Sequence, residues 1–232
     1  MFRIDASILR ECVDAVLAVV DEARLKIYED AWRIRAVDPA NVALVDLELR
    51  REAFSEFSLG PGEGTKEKEF VVGVHFDKVR DVLRWCKGDV ALSIEKEKMT
   101  LQSDAYTFTL TLLDPSSIRK EPKIPEIEFA AKVVVDANDF KKVLKAAEKI
   151  TEQVAIGVQN ESFFVEAEGE METMRYSLHK DELVHLSGSD CRSLFSLEYL
   201  AAMAKGISSE TLTLFIGTVS YTHLTLPTKR IV

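Results

Sequence analysis

The amino-acid sequence predicts an α+β fold made twice over, with mostly antiparallel sheets. Three observations carry that expectation. Short runs that alternate apolar and polar residues recur along the chain, as half-buried strands require. Four longer stretches repeat their apolar residues at helical spacing. Between them lies Asp114–Ile127, DPSSIRKEPKIPEI, rich in proline and charge and without a period. After it the order of elements begins again, at an offset of about 130 residues.

The first half opens with a strand at Met1–Asp5. Ala6–Val20 is a predicted helix, with Ile8, Leu9, Cys12, Val13, Val16, Leu17 and Val20 on one stripe and Ser7 as its N-terminal cap. EARLKIYE, AWRIRAVD and VALVDLEL alternate and read as strands. LGPGEGTKEK, Leu59–Lys68, has the glycines and proline of a loop. EFVVGV is a strand, Phe76–Cys86 a second helix, and DVALSIEK, KMTLQSD and YTFTLTLL close the half as strands.

The second half repeats the plan. IEFAAKVVV is a strand and Ala137–Ile150 a helix with Phe140, Val143, Leu144, Ala147 and Ile150 inward. VAIGVQ, SFFVEAEGE, TMRYSLH and RSLFSL are strands, Ser196–Lys205 is the fourth helix, and TLTLFIG follows it. Residues 1–113 therefore form one domain, 114–127 a connector and 128–218 a second domain.

Composition narrows the function. Hydrophobic residues make up 47% and charged residues 30%, which is globular. The 39 acidic and 30 basic residues leave a net charge of −9. That excludes a simple basic nucleic-acid binder unless the positive charge is segregated. No apolar run approaches the roughly 18 residues that span a bilayer, and the charged start MFRIDASILRE does not read as a signal peptide. Cys12, Cys86 and Cys191 lack metal-ligand spacing and suggest a reducing compartment, cytoplasmic or nuclear.

Two helices do segregate positive charge. Lys78, Arg80, Arg84 and Lys87 stand against Asp77 and Asp81, and Arg80, Arg84 and Lys87 share a face. Lys141, Lys142, Lys145 and Lys149 stand against Asp139 and Glu148, and Lys141, Lys145 and Lys149 line up at intervals of four. Single basic helices are commonly just solvated. Two at matching places of a duplicated acidic chain point to a phosphate backbone bound without base readout.

The run RAVDPANVALVDLEL closely resembles a signature segment of the sliding-clamp family, the proliferating cell nuclear antigen type, above all its archaeal members. VDEARLKIYED, FDKVRDVLRWCKGD, DPSSIRKEPKIPEIEFAAKVVV, VEAEGE and DCRSLFSLEYLAAMAKGI resemble the family too, so the likeness runs in order from Met1 to about Thr218. It implies a DNA-clamp fold: a homotrimer closed head to tail, sheets outside and helices lining a ring. It implies a processivity factor that encircles double-stranded DNA, not an enzyme, with no cofactor. The implied partners are DNA polymerase, clamp loader, flap endonuclease and DNA ligase, in the cytoplasm near the nucleoid, or in a nucleus.

The resemblance also implies sites. Arg10, Lys78, Arg80, Arg84, Lys87, Lys141, Lys142, Lys145, Lys149 and Lys205 would face DNA, with the first helix weakened by Glu11 and Asp14. A partner peptide would dock at Val37, Asn41, Val42, Pro122, Ile124, Pro125 and Phe129. Subunits would join through Ala105, Tyr106, Phe108, Leu110 and Leu112 of one copy and Met174, Tyr176 and Leu178 of the next. Two other readings stand beside the clamp: a damage-signalling subunit of a mixed ring, and an enzyme with an acidic active site.

Several signals are set aside. His179, Glu182 and His185 have a metal-like spacing but no helical pattern to converge them. Asn160-Glu161-Ser162 and the internal Lys180–Leu183 only spell motifs, and LGPGEGTK lacks the ending of a phosphate loop. Residues 219–232 depart from the family. VSYTHLTLPT is what one frame of a transposase sequencing adapter encodes, so the tail is expected to be non-native and the second domain's sheet incomplete. One strand at most is expected there, stopped by Pro227.

Overall fold

The computed structural model describes residues 1–59, 70–95, 97–124, 127–217, 222–226 and 229–230, the last two stretches by backbone only. Most of the glycine-rich loop, Pro125 and much of the tail lie outside the described residues. The chain divides into two compact units, Met1–Pro122 and Lys123–Val232.

The first unit runs β1 (Phe2–Asp5), α1 (Ala6–Leu17), β2 (Glu22–Ile27), β3 (Ala31–Val37), β4 (Leu44–Arg50), β5 (Glu56–Phe57), β6 (Phe70–His75), α2 (Phe76–Leu83), β7 (Asp89–Glu95), β8 (Lys98–Ser103) and β9 (Tyr106–Thr111). The second runs β10 (Ala131–Asp136), α3 (Ala137–Ala147), β11 (Gln153–Gln159), β12 (Ser162–Glu168), β13 (Thr173–His179), β14 (His185–Gly188), β15 (Cys191–Ser196), α4 (Leu197–Lys205), β16 (Thr211–Ile216), β17 (Thr222–Leu226) and β18 (Lys229–Arg230). No helix among the described residues is long and apolar enough to cross a membrane.

The predicted duplication is present in the hydrogen bonds. The sheets β5-β1-β7-β8-β9 and β4-β3-β2-β6 of the first unit match β14-β10-β16-β17-β18 and β13-β12-β11-β15 of the second. Registers match as well: Asp5 pairs with Asp89 and Phe2 with Phe57, as Asp136 pairs with Thr211 and Val133 with Leu186. Both first helices start alike. The Ala6 amide donates to Gly88 O at 2.8 Å and the Ala137 amide to Glu210 O at 2.9 Å. An antiparallel ladder is a backbone object, so two diverged sequences keep it.

Packing follows the periods. Leu9, Cys12, Val13 and Val16 of α1 and Val79, Val82 and Leu83 of α2 are buried. Of these, Leu9, Cys12, Val13 and Val79 join Leu25, Trp32, Ile34, Leu47, Leu49, Leu92 and Met99 around an apolar cavity of about 30 Å³. Phe140, Val143, Leu144 and Ala147 of α3 fill the same role in the second unit. A wholly apolar interior of this kind supplies the main drive to fold.

Several expectations are corrected. Asp5, not Ser7, caps α1: its carboxylate accepts the Ser7 amide at 2.7 Å. The first three helices end three residues early, at Leu17, Leu83 and Ala147, in tight turns, while the fourth ends at Lys205 as expected. Strands β5 and β14 are too short or too polar to show alternation, and form because β1 and β10 offer them backbone partners. Beyond Ile216 there are two strands rather than one: β17 pairs with β16 and β18 with β17.

Candidate functional site

Each unit sets two helices side by side, and the expectation that the two basic helices hold matching places is corrected: α3 follows β10 as α1 follows β1, and α2 follows β6 as α4 follows β15, so basic α2 and α3 are not equivalents. Their apolar stripes face the sheets, which leaves the polar residues outward. Lys145, Lys149, Arg84, Lys87, Lys78, Lys142 and Lys205 are exposed. Lys142 pairs with Asp139 at 2.8 Å, Arg84 with Asp81 at 3.6 Å and Lys78 with Asp77 at 3.3 Å. The Lys142 ammonium is held above its ordinary pKa by the hydrogen bond it donates to the Asp139 carboxylate. Lys145 and Lys149 form no ion pair among the described residues, so their charge is open to solvent. Arg80 is half-buried, with a buried Nε that has no hydrogen-bond partner among the described residues.

Two cations of the predicted set are placed differently. Arg10 is half-buried, and its Nη2 donates to Leu83 O at 2.8 Å and Cys86 O at 3.4 Å. Lys141 is half-buried as well, and its Nζ donates to Ile207 O. Both lie on the first helix of their unit and reach the end of the second.

The signature loop between β3 and β4 is built around a buried carboxylate. Asp38 is 2% exposed and accepts the amides of Ala40 at 3.1 Å, Val42 at 2.6 Å and Ala43 at 2.8 Å. Asn41 takes φ 59°, a left-handed conformation that asparagine tolerates better than most side chains. Val42 is left 68% exposed. The connector reaches this loop. Arg119 donates to Asp38 O at 3.1 Å and, through Nη2, to Asn41 Oδ1 at 2.7 Å.

The rest of the connector's first part is tied to the sheet below. Arg24 donates to Ile118 O at 2.7 Å, and Lys26 pairs with Glu121 at 3.2 Å. A recess of about 200 Å³ remains, lined by Arg24, Arg35, Val37, Ile118 and Arg119. Of the other predicted peptide contacts, Val37, Pro122 and Ile124 are half-buried. Phe129 is half-buried beside Phe215, ring centroids 5.6 Å apart. Pro125 lies outside the described residues.

Among the described residues, β9 and β13 are the outermost strands of their sheets. Phe108 and Leu110 pair with Leu101 and Met99, whose side chains are core, so they share the helix-side face. Tyr106 stacks on Phe108 at 5.9 Å and meets Trp85, which is 62% exposed, at 6.3 Å. Leu112 is buried and Ala105 exposed. Beside β9, Lys78, Val79, Leu110 and Leu112 line a recess of about 210 Å³. On β13, Met174, Tyr176 and Leu178 are half-buried. Burial raises the Tyr176 phenol, and the carboxylates of Asp139, Asp136 and Glu182 push the same way.

The histidines do not converge. His179 sits against Asp181 at 3.1 Å while Glu182 accepts the His179 amide, and His185 meets Ser187 Oγ at 3.0 Å. Asp38, Trp85 and Arg119 are the residues that sequence reasoning missed. An Asp-Pro step inside a hairpin is a turn signal that could have marked Asp38. Arg119, inside an aperiodic connector, gave no signal at all.

Two family models match the chain. That for the proliferating cell nuclear antigen N-terminal domain covers residues 2–124, and that for the C-terminal domain covers 123–220. A DNA polymerase sliding clamp from Methanococcoides burtonii is 38% identical over 224 residues, 94% of this chain and 88% of the relative. One from Methanocella arvoryzae is 38% identical over 226 residues, 94% and 89% of the two chains. Among solved structures, the Archaeoglobus fulgidus clamp bound to the C-terminal region of FEN-1 is 32% identical, with a TM-score of 0.88 over 100% of this chain and 97% of that one. The Thermococcus kodakaraensis clamp, 22% identical, shares the fold at a TM-score of 0.85, over 100% and 99%.

Proposed function

The chain belongs to the proliferating cell nuclear antigen family, and from that we propose that it is a DNA polymerase sliding clamp, a ring that encircles duplex DNA and tethers replication and repair proteins. The observation that carries this is the duplication itself. Two units repeat one hydrogen-bond register, and each answers to its own half of the clamp family.

The ring follows from the edges. β9 and β13 are unlike, and each offers unpaired backbone along an alternating strand. Exposed edges of that kind are a liability unless covered. Pairing β9 of one copy with β13 of the next covers both. A head-to-tail contact of this type closes into a ring when the rotation allows. Phe108 and Leu110 of β9 and Met174, Tyr176 and Leu178 of β13 are half-buried in the single chain, so each edge carries apolar side chains that the partner edge would cover.

Lys145, Lys149, Arg84, Lys87 and Lys205, with Lys78, Arg80 and Lys142 nearby, supply weak phosphate attraction inside the hole. Non-specific charge of that kind holds a duplex without fixing its position. A topological link needs no tight contact, and no catalytic chemistry is assigned to it. The solved relative carries a peptide of FEN-1. By that likeness the Asp38 loop and the connector receive short peptides of polymerase, clamp loader, flap endonuclease and ligase. The residues involved are Val37, Asn41, Val42, Pro122, Ile124, Pro125 and Phe129. The two sequence relatives named are DNA polymerase sliding clamps, and no observation favours the damage-signalling alternative.

The test is mass in solution together with processivity. Light scattering should give three times the 26.1 kDa chain. The protein, with a clamp loader, should lengthen polymerase products on a primed circular template. A monomer at every concentration, with no lengthening, overturns the reading.

A further inference from the structure

We infer that Arg10 and Lys141 are helix staples that set the inner surface and do not themselves meet the phosphates. The DNA part of this inference rests on the clamp reading; the staple part does not. Both residues lie five positions after an aspartate, Asp5 or Asp136, that caps the first helix of its unit. From there each reaches carbonyls at the end of the second helix. Arg10 takes Leu83 O and Cys86 O; Lys141 takes Ile207 O. Cys86 is ten residues past Phe76, the start of α2, and Ile207 ten past Leu197, the start of α4. The acceptors are therefore the same place in the repeat, as the donors are.

The chemistry suits the place. Leu83 is the last residue of α2, while Cys86 and Ile207 lie in the turns just past α2 and α4, close to the negative end of each helix dipole. A cation from the neighbouring helix suits that end. The bond ties two packed helices together near one end, so it helps fix how far apart their outer faces lie. The repeat keeps the role and varies the residue, an arginine in one unit and a lysine in the other. What the two share is a positive donor long enough to cross to the next helix. A cation committed in this way is half-buried and directed along the protein, so it gives little to an outside phosphate. The neighbouring Lys145 and Lys149 are exposed and uncommitted among the described residues. They carry the contact on α3.

The test separates the two roles. Arg10→Met and Lys141→Met are compared with Lys145→Met and with the conservative Arg10→Lys and Lys141→Arg. Hydrogen exchange is read at the Trp85 and Cys86 amides and at the Gly206 and Ile207 amides, which close the two helix ends. Binding to a short duplex is read across a salt series. Loss of a staple should speed exchange at its own helix end by roughly tenfold, the scale of a charge-assisted hydrogen bond. The conservative variants should restore protection. Lys145→Met should leave exchange alone and lower the salt slope by about one for each cation withdrawn. Lys141→Met should leave that slope unchanged. A slope lowered as much by Lys141→Met as by Lys145→Met, or exchange that ignores both staples, overturns the inference. Absence of any salt-dependent binding by the unsubstituted protein counts against the clamp reading, and the staples are then judged by exchange alone.

Discussion

Arg119, in the connector, donates to the side-chain oxygen of Asn41 at 2.7 Å, across 78 positions of sequence. The bond couples the connector to the one loop residue that takes a left-handed backbone. Arg119→Ala should release the connector from the loop. Exchange at the Val42 and Ala43 amides should rise, and affinity for a FEN-1-type peptide should fall about fivefold. Unchanged affinity in a calorimetric titration would separate the connector from peptide docking.

Asp38 holds the same loop from beneath with three backbone amides. Asp38→Ala leaves those buried donors unmatched and should cost about 2–3 kcal/mol. Urea unfolding measures it, and a loss under 0.5 kcal/mol would show that water can replace the carboxylate.

The exposed lysines of α3 predict a charge effect without a structural one. Lys145→Glu with Lys149→Glu should reduce polymerase stimulation, most of all at low salt, while the mass in solution stays that of the ring. Equal stimulation from both proteins across a salt series would remove α3 from the DNA path.

Trp85 and Tyr106 form an exposed aromatic edge beside β9. Buried at a subunit contact, such residues are usual energetic centres. Trp85→Ala should weaken self-association by about 2 kcal/mol, seen by sedimentation as trimer giving way to monomer at low concentration. An unaltered dissociation midpoint would place Trp85 outside the contact.

Acid should loosen the cap of α1. The Ser7 hydroxyl and amide both donate to Asp5 and hold its carboxyl below the ordinary range. A lowered carboxyl pKa contributes stability above the unfolded value, near pH 4. That contribution disappears as pH falls through the folded value. Asp5→Asn should therefore show a smaller drop in Tm between pH 5 and pH 3 than the unsubstituted chain, and parallel curves would argue against it.

Alternation and helical spacing made most of the fold legible, because burial on one face imposes a period that survives divergence. The short strands β5 and β14 were not legible, since two residues, or four mixed ones, carry no period. Nor were the roles of Arg10 and Lys141. Spacing placed both on a cationic stripe, but their acceptors lie 73 and 66 residues away in sequence. Asp38 shows the same limit: a carboxylate's partners are set by how a loop folds back, which a linear pattern does not encode.

The matched registers also leave the molecule with a spare part of its own. By ladder position, Leu224 of β17 opposes Leu214 as Leu101 of β8 opposes Leu92, while Thr222 opposes Ile216 where the first unit sets Met99 against Ile94. The hairpin Lys98–Thr111 is thus a template, written in the same chain, for the strands that follow Ile216. Transplanting it there asks only that apolar residues land on addresses whose backbone partners are already in place, and one half of the chain could be used to rebuild the other.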